Sequence, residues 1–208
     1  MLQIIIKGGW VMVPLIICSL VSLTIIVERL WFLKKIAATD YAEQIVSLVK
    51  KGQVEEAARL SNVDAAPLLR VLHAGIEHIS NPVKAMEAAA IAEITILKRG
   101  LPVLDTIITL SPLLGLLGTI IGMISSFQVM AVGSIGQPHV ITGGVAEALI
   151  ATAAGILVAV SSLIPYNYFL TRVEKETEVI EYYATRLEVV LGTRPHRSDM
   201  HEDSKKYA

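Results

Sequence analysis

Cysteine is almost missing from this chain: of 208 residues only Cys18 is one. A lone thiol excludes an internal disulfide framework and any multi-cysteine metal site. Net charge is nearly missing as well, at -1, which excludes the broadly basic surface that nucleic-acid binding needs. The histidines (His73, His78, His139, His196, His201) hold no metal-ligand spacing. The nearest pair, His73 and His78, lies about 140° apart around a helix and shares no face. The sharpest scarcity is local. Between Asp105 and Arg172 the only Asp, Glu, Lys or Arg is Glu147. A carboxylate at a bilayer centre costs roughly 2.5–3.5 kcal/mol on insertion scales, so one is rarely kept without a partner or a role.

What fills the chain instead is apolar: 53% of residues are hydrophobic and mean hydropathy is +0.60, too high for an ordinary soluble domain. Three segments reach the roughly 20 residues that cross a bilayer: residues 8–27, 106–132 and 143–170. The first is long, lacks a small-x-small cleavage site and ends in Glu28-Arg29-Leu30-Trp31-Phe32. It reads as a retained helix rather than a signal peptide, with Trp10 and Trp31 near the two interfaces. Only Lys7 precedes it, whereas Lys and Arg are frequent from Arg29 to Arg99 and again from Arg172 onward, and missing between the second and third spans. Counting Lys and Arg places the N-terminus outside, the long first loop and the C-terminal tail in the cytoplasm, and the second loop outside.

The expected fold is all-α. The first transmembrane helix occupies 1–32 and a cytoplasmic helical region 33–104. Spans two and three occupy 105–170, joined by an external loop at 131–142, and a cytoplasmic helical extension with a polar tail occupies 171–208. Within the cytoplasmic region Asp40 is placed to cap a helix ending at Gly52, with a short helix following through Leu60. Ala66-Pro67 opens another, with Leu68, Leu69, Leu72 and Ile76 on one face. Asn81-Pro82 starts a long helix through Met86, Ala90, Ile94 and Leu97 that is expected to run straight into span two. Past span three, Val173, Ile180, Leu187 and Leu191 keep helical spacing, so the third helix projects beyond the membrane. The tail after Gly192 is polar and charged, the composition of a disordered segment.

Span two carries Ser111, Gly115, Gly118, Gly122 and Ser125; span three carries Ala148, Thr152, Gly155, Ala159 and Ser162. In both, successive members are four, three, four and three residues apart. Lipid gives helices no hydrophobic reason to associate, so small residues that admit close backbone approach supply the packing. Two matching stripes predict that spans two and three pack along their length, which accounts for the small residues but not for Glu147. Thr119 and Ser126, seven apart, lie on an adjacent face of span two. A lone membrane threonine most often bonds a carbonyl of its own helix. Pro112 and Pro165 are expected to interrupt the spans.

The stretch 111–167 resembles the MotA/TolQ/ExbB proton channel family, nearest its three-span ExbB/TolQ branch. The residues that carry this are Pro112-Leu113-Leu114-Gly115-Leu116-Leu117-Gly118-Thr119-Ile120-Ile121-Gly122-Met123, with Phe127 after them, and Gly144-Val145-Ala146-Glu147-Ala148-Leu149-Ile150-Ala151-Thr152-Ala153-Ala154-Gly155. The Glu28-Arg29-Leu30 end of span one fits as well. The chain lacks the fourth span of MotA-like members, which speaks against a flagellar stator.

The resemblance implies a ring, commonly a pentamer, in a bacterial inner membrane around single spans of an ExbD/TolR-like partner. A partner Asp would take and release protons, with a TonB-like or Tol-Pal-type effector beyond it. The implied pathway residues are Thr119, Thr152 and Glu147. The implied activity is proton-driven energy transduction with no enzymatic step and no cofactor. Glu147 and Thr152 are about 140° apart on an ideal helix, so both cannot point into one lumen. Glu147 is either an electrostatic feature of proton entry or an interfacial acid bonding a neighbouring helix. Two rival readings stand beside the channel: a passive scaffold anchoring such a partner without ion flux, and a small secondary transporter, which three spans without broken repeats disfavour.

Overall fold

The computed structural model describes residues 9–33, 39–62, 66–132 and 138–192. Lys7, the centre of the second loop and the polar tail beyond Gly192 lie outside them. The described residues are helical, without a strand: α1 (Met12–Leu33), α2 (Thr39–Lys50), α3 (Val54–Ser61), α4 (Pro67–Glu77), α5 (Pro82–Lys98), α6 (Leu101–Val132) and α7 (Pro138–Gly192). Three helical stretches are long and apolar enough to cross a membrane: Met12–Leu33, Pro82–Gln128 and Gly143–Gly192. The chain divides into two compact units, one of residues 1–31 with 99–171, the other of residues 32–98 with 172–208.

In the first unit α1 lies against both longer helices. Val11 Cγ1 is 3.6 Å from where a Cβ on Gly118 would stand, and Ile25 Cγ2 is 3.1 Å from the same position at Gly100. Across to α7, the Ser22 and Ser162 hydroxyls meet at 2.6 Å. The pairings make α1 antiparallel to α6 and parallel to α7. Trp10, just ahead of α1, and Trp31, near its end, are 68% and 73% exposed. Arg29 is buried, 3.4 Å from Glu28 and beside Gly100.

Two sequence expectations fail here. The helix begun at Pro82 does not run unbroken into span two: α5 ends at Lys98, Gly100 takes φ +80, and α6 restarts at Leu101. A glycine in that left-handed region is a common helix terminator. Conversely, Pro112 and Pro165 interrupt nothing, since both sit inside unbroken helices; packing against neighbouring helices tolerates the lost bond in membrane segments.

In the second unit α2 to α5 pack successively. Asp40 lies within the first turn of α2 rather than ahead of it. That helix stops in a Schellman motif: Gly52 has φ +92, Gln53 N–H donates to Leu48 O, and Gly52 N–H to Val49 O. Pro67 occupies the first turn of α4 after an extended Ala66, and Leu68, Leu69, Leu72 and Ile76 are buried as their spacing predicts. On the extension of α7, Val173, Ile180, Leu187 and Leu191 are all buried.

Two ion pairs fasten this unit. Arg70 grips Glu93 with Nε at 2.6 Å and Nη2 at 2.5 Å, joining α4 to α5. Arg186 on α7 grips Glu43 on α2 at 2.6 and 2.9 Å, and the Tyr183 hydroxyl donates to the same carboxylate. The Arg186 bonds, helped by Tyr183, hold the exposed Glu43 carboxyl below its ordinary range.

Candidate functional site

The candidate site is the seam between α6 and α7, and its glycines set its width. A Cβ placed on Gly115 would stand 3.0 Å from Thr152 Cα and 3.1 Å from Ala151 O. One on Gly155 would stand 2.5 Å from Ser111 O and 3.1 Å from Gly115 Cα. At Gly118 the neighbour is Ala151 Cβ at 2.5 Å, and at Gly122 it is Ala148 Cβ at 2.9 Å. Residue numbers rise along α6 as they fall along α7, so the helices are antiparallel and main chain rests on main chain. Ser111, Gly115, Gly118, Gly122, Ala148, Gly155, Ala159 and Ser162 are all buried.

One end of the stripe departs from expectation. Ser125 is exposed, and Ser126 takes its place, buried and in contact with Gly144. Ala151 and Gly144 also belong to the seam. In sequence Gly144 is marked only by being a glycine in an apolar helix, and nothing marks Ala151 beyond its size.

The two threonines differ in their bonds. Thr119, half-buried, donates its hydroxyl proton to Leu116 O at 2.6 Å within its own helix. Thr152, also half-buried, donates across the seam to Gly115 O at 3.0 Å. A carbonyl oxygen can only accept, so both hydroxyl hydrogens are committed and each oxygen has only lone pairs left to offer. Ser126 likewise donates to Gly122 O at 2.8 Å. The Ser111 hydroxyl is fully buried and has no hydrogen-bond partner among the described residues.

Glu147 meets neither threonine in these bonds. Its carboxylate lies against Gly9, just ahead of α1, filling the space that a Cβ there would need; Cδ is 3.0 Å and Cγ 3.5 Å from that position. A carboxylate at the N-terminal end of a helix is favoured by the open N–H groups and the helix dipole, by about 0.3–1 kcal/mol at exposed sites. An acid at a helix interface is one of the two sequence alternatives, but spacing within α7 cannot report that the neighbour is span one.

Elsewhere the histidines stay apart: His73 Nδ1 pairs with Ser61 Oγ at 2.9 Å, while His78 Nδ1 bonds Ala74 O. Among the described residues no three His, Cys, Asp or Glu are grouped to hold a metal ion.

Comparison with known proteins agrees with this arrangement. The family model described as the MotA/TolQ/ExbB proton channel family matches residues 63–182. The putative biopolymer transport protein ExbB-like 3 of Synechocystis is 33% identical over 209 residues, covering 97% of this chain and 98% of that protein. ExbB-like 1 of the same organism is 34% identical, covering 92% and 80%. The Tol-Pal system protein TolQ of Pseudomonas aeruginosa is 35% identical over 116 residues, covering 56% of this chain and 50% of its own. An all-helical chain with three candidate spans, a glycine seam between two of them and these relatives belongs to the MotA/TolQ/ExbB proton channel family, on its ExbB/TolQ branch, as an energy-transducing membrane subunit.

Proposed function

We propose that this chain is the proton-channel subunit of an inner-membrane motor that spends the proton motive force on a periplasmic or outer-membrane process such as TonB-dependent uptake. The chain forms a ring, as a pentamer, around single-span partners of the ExbD/TolR type, with its N-terminus periplasmic and its C-terminus cytoplasmic. A partner carboxyl carries the proton, and Thr119, Thr152 and Glu147 line its route.

The observation that carries this reading is the state of the two threonine hydroxyls. With their protons given to Leu116 O and Gly115 O, Thr119 and Thr152 accept hydrogen bonds but cannot donate them. An acceptor-only surface stabilises a protonated carboxylic acid, which has an O–H to give, over an ionised one, which has none. A partner acid passing this level is therefore held neutral, the state in which crossing an apolar seam costs least. Ionisation belongs at the ends of the path, where water or Glu147 can take part.

The test measures proton flux per assembled complex in vesicles under an imposed gradient. Thr119→Val and Thr152→Val together are expected to abolish most of it, while Thr→Ser at both positions retains it, because Ser keeps the acceptor oxygen. Full flux in the double Val variant overturns the path. A wild-type complex that assembles with its partner yet carries no flux identifies the passive scaffold instead.

A further inference from the structure

Two observations favour glycine at position 9. Its φ of +71 belongs to the left-handed region that residues with a Cβ rarely adopt. Independently, the space a Cβ would take is already filled by the Glu147 carboxylate. The turn leading into α1 is built on the same residue: Met12 N–H donates to Gly9 O at 3.1 Å and Val13 N–H to Trp10 O at 3.2 Å. Two residues on, Val11 rests against Gly118 on the α6–α7 seam. The start of α1 is thus fixed against α6 on one side and against Glu147 on the other. Among the described residues no ion pair joins Glu147, and its carboxylate lies against the main chain of Gly9.

We propose that Gly9 is a positioning residue for Glu147: its missing side chain is the seat that sets where this carboxylate sits relative to the first span. The seat fixes the acid near the N-terminal end of α1 and, across the turn of α7, away from the bond between Thr152 and Gly115. The proposal rests on the reading of Glu147 as part of the proton path, and its test separates the two.

The variant is Gly9→Asn. Asparagine tolerates positive φ better than other residues with a Cβ, so the backbone is largely spared while the Cβ collides with the carboxylate. Glu147→Asp then withdraws the acid by one methylene, placing its carboxyl carbon near the present Cγ, 3.5 Å from that Cβ. Flux per complex and the melting temperature of the purified complex are measured for wild type, each single variant and the double. Gly9→Asn is expected to lower flux roughly tenfold or more, the scale on which misplaced groups act, and to lower the melting temperature. In the Glu147→Asp background, where a carboxylate oxygen would stand near the present Cδ at 3.0 Å from that Cβ, Gly9→Asn is expected to lower both by clearly less. Wild-type behaviour of Gly9→Asn, or an equal loss in both backgrounds, including failure to assemble in both, overturns the seat. If the wild-type complex carries no flux, the channel reading fails, and the rescue or its absence in the melting temperature still decides the seat.

Discussion

Replacing Gly155 by Ala adds one methyl at a point where three main-chain atoms of α6 already stand close. The new Cβ would lie 2.5 Å from Ser111 O, 3.1 Å from Gly115 Cα and 3.2 Å from Gly115 N. Ordinary carbon-to-carbonyl-oxygen contacts are about 3.3–3.6 Å, so the oxygen is nearly 1 Å too near, and main chain cannot rotate aside as a side chain can. The helices must part. Overpacking of this kind costs about 1–3 kcal/mol. Parting also stretches the bond from Thr152 to Gly115 O, now 3.0 Å, and interhelical bonds in membranes average about 0.6 kcal/mol. The expected loss is therefore about 1.5–4 kcal/mol, roughly tenfold to several hundredfold in the folding constant. Gly143 supplies the control on the same helix, because a Cβ there meets nothing within 4 Å. Gly143→Ala is expected to be neutral or to stabilise by up to about 1 kcal/mol through helix propensity. The assay is equilibrium unfolding in mixed micelles titrated with a denaturing detergent and followed by circular dichroism. Equal unfolding midpoints for the two variants would refute the argument that the seam is set by main-chain contact.

Arg70→Met leaves the nearly buried Glu93 carboxylate without its two guanidinium bonds; a loss of about 1–3 kcal/mol is expected, and Glu93→Leu in the same chain should recover much of it in thermal melts. Glu43→Gln tests the pair on α2 and α7. Because Arg186 depresses the Glu43 carboxyl in the folded state, the stabilisation is present above the unfolded value near 4.3 and is lost as pH falls through the lower folded value. The wild type should therefore melt above Glu43→Gln at pH 7. The gap should close as the pH drops well below 4, and it should shrink with added salt because the pair is exposed. A gap independent of pH would contradict the assignment.

The sequence carried most of the membrane seam because small residues at helical spacing report a face directly. Ser111, Gly115, Gly118 and Gly122 could be placed before any coordinates, and so could Ala148, Gly155 and Ala159. What escaped it was non-local. Glu93 sits on the face of α5 shared with Met86 and Leu97, and only the arrival of Arg70 from α4 makes its burial tolerable. Nothing in the sequence of span one reports that Ser22, among its few hydroxyl residues, meets Ser162 from another helix. Glu147 could be ranked by its rotation relative to Thr152, but not by the helix it would touch. Gly100 carries no expectation in the sequence analysis, whereas Pro112 and Pro165 are expected to interrupt their helices; the structure breaks at the glycine and keeps helix through both prolines.

The division of the chain into units has a consequence for how the protein is made. Each unit is assembled from two separated stretches, and the polypeptide passes between them after Trp31, after Lys98 and after Thr171. Both therefore wait for α7, which supplies the last piece of each. While that helix is still being synthesised, Gly115 and Gly122 lack the α7 backbone they pack on, and the buried positions of α2 to α5 lack Val173, Ile180 and Leu187. Pairings this distant along the chain close slowly. A nascent chain stalled before Pro138 would thus carry two unfinished cores at once. Quality control acting on such a chain would meet exposed glycine in one and exposed leucine in the other.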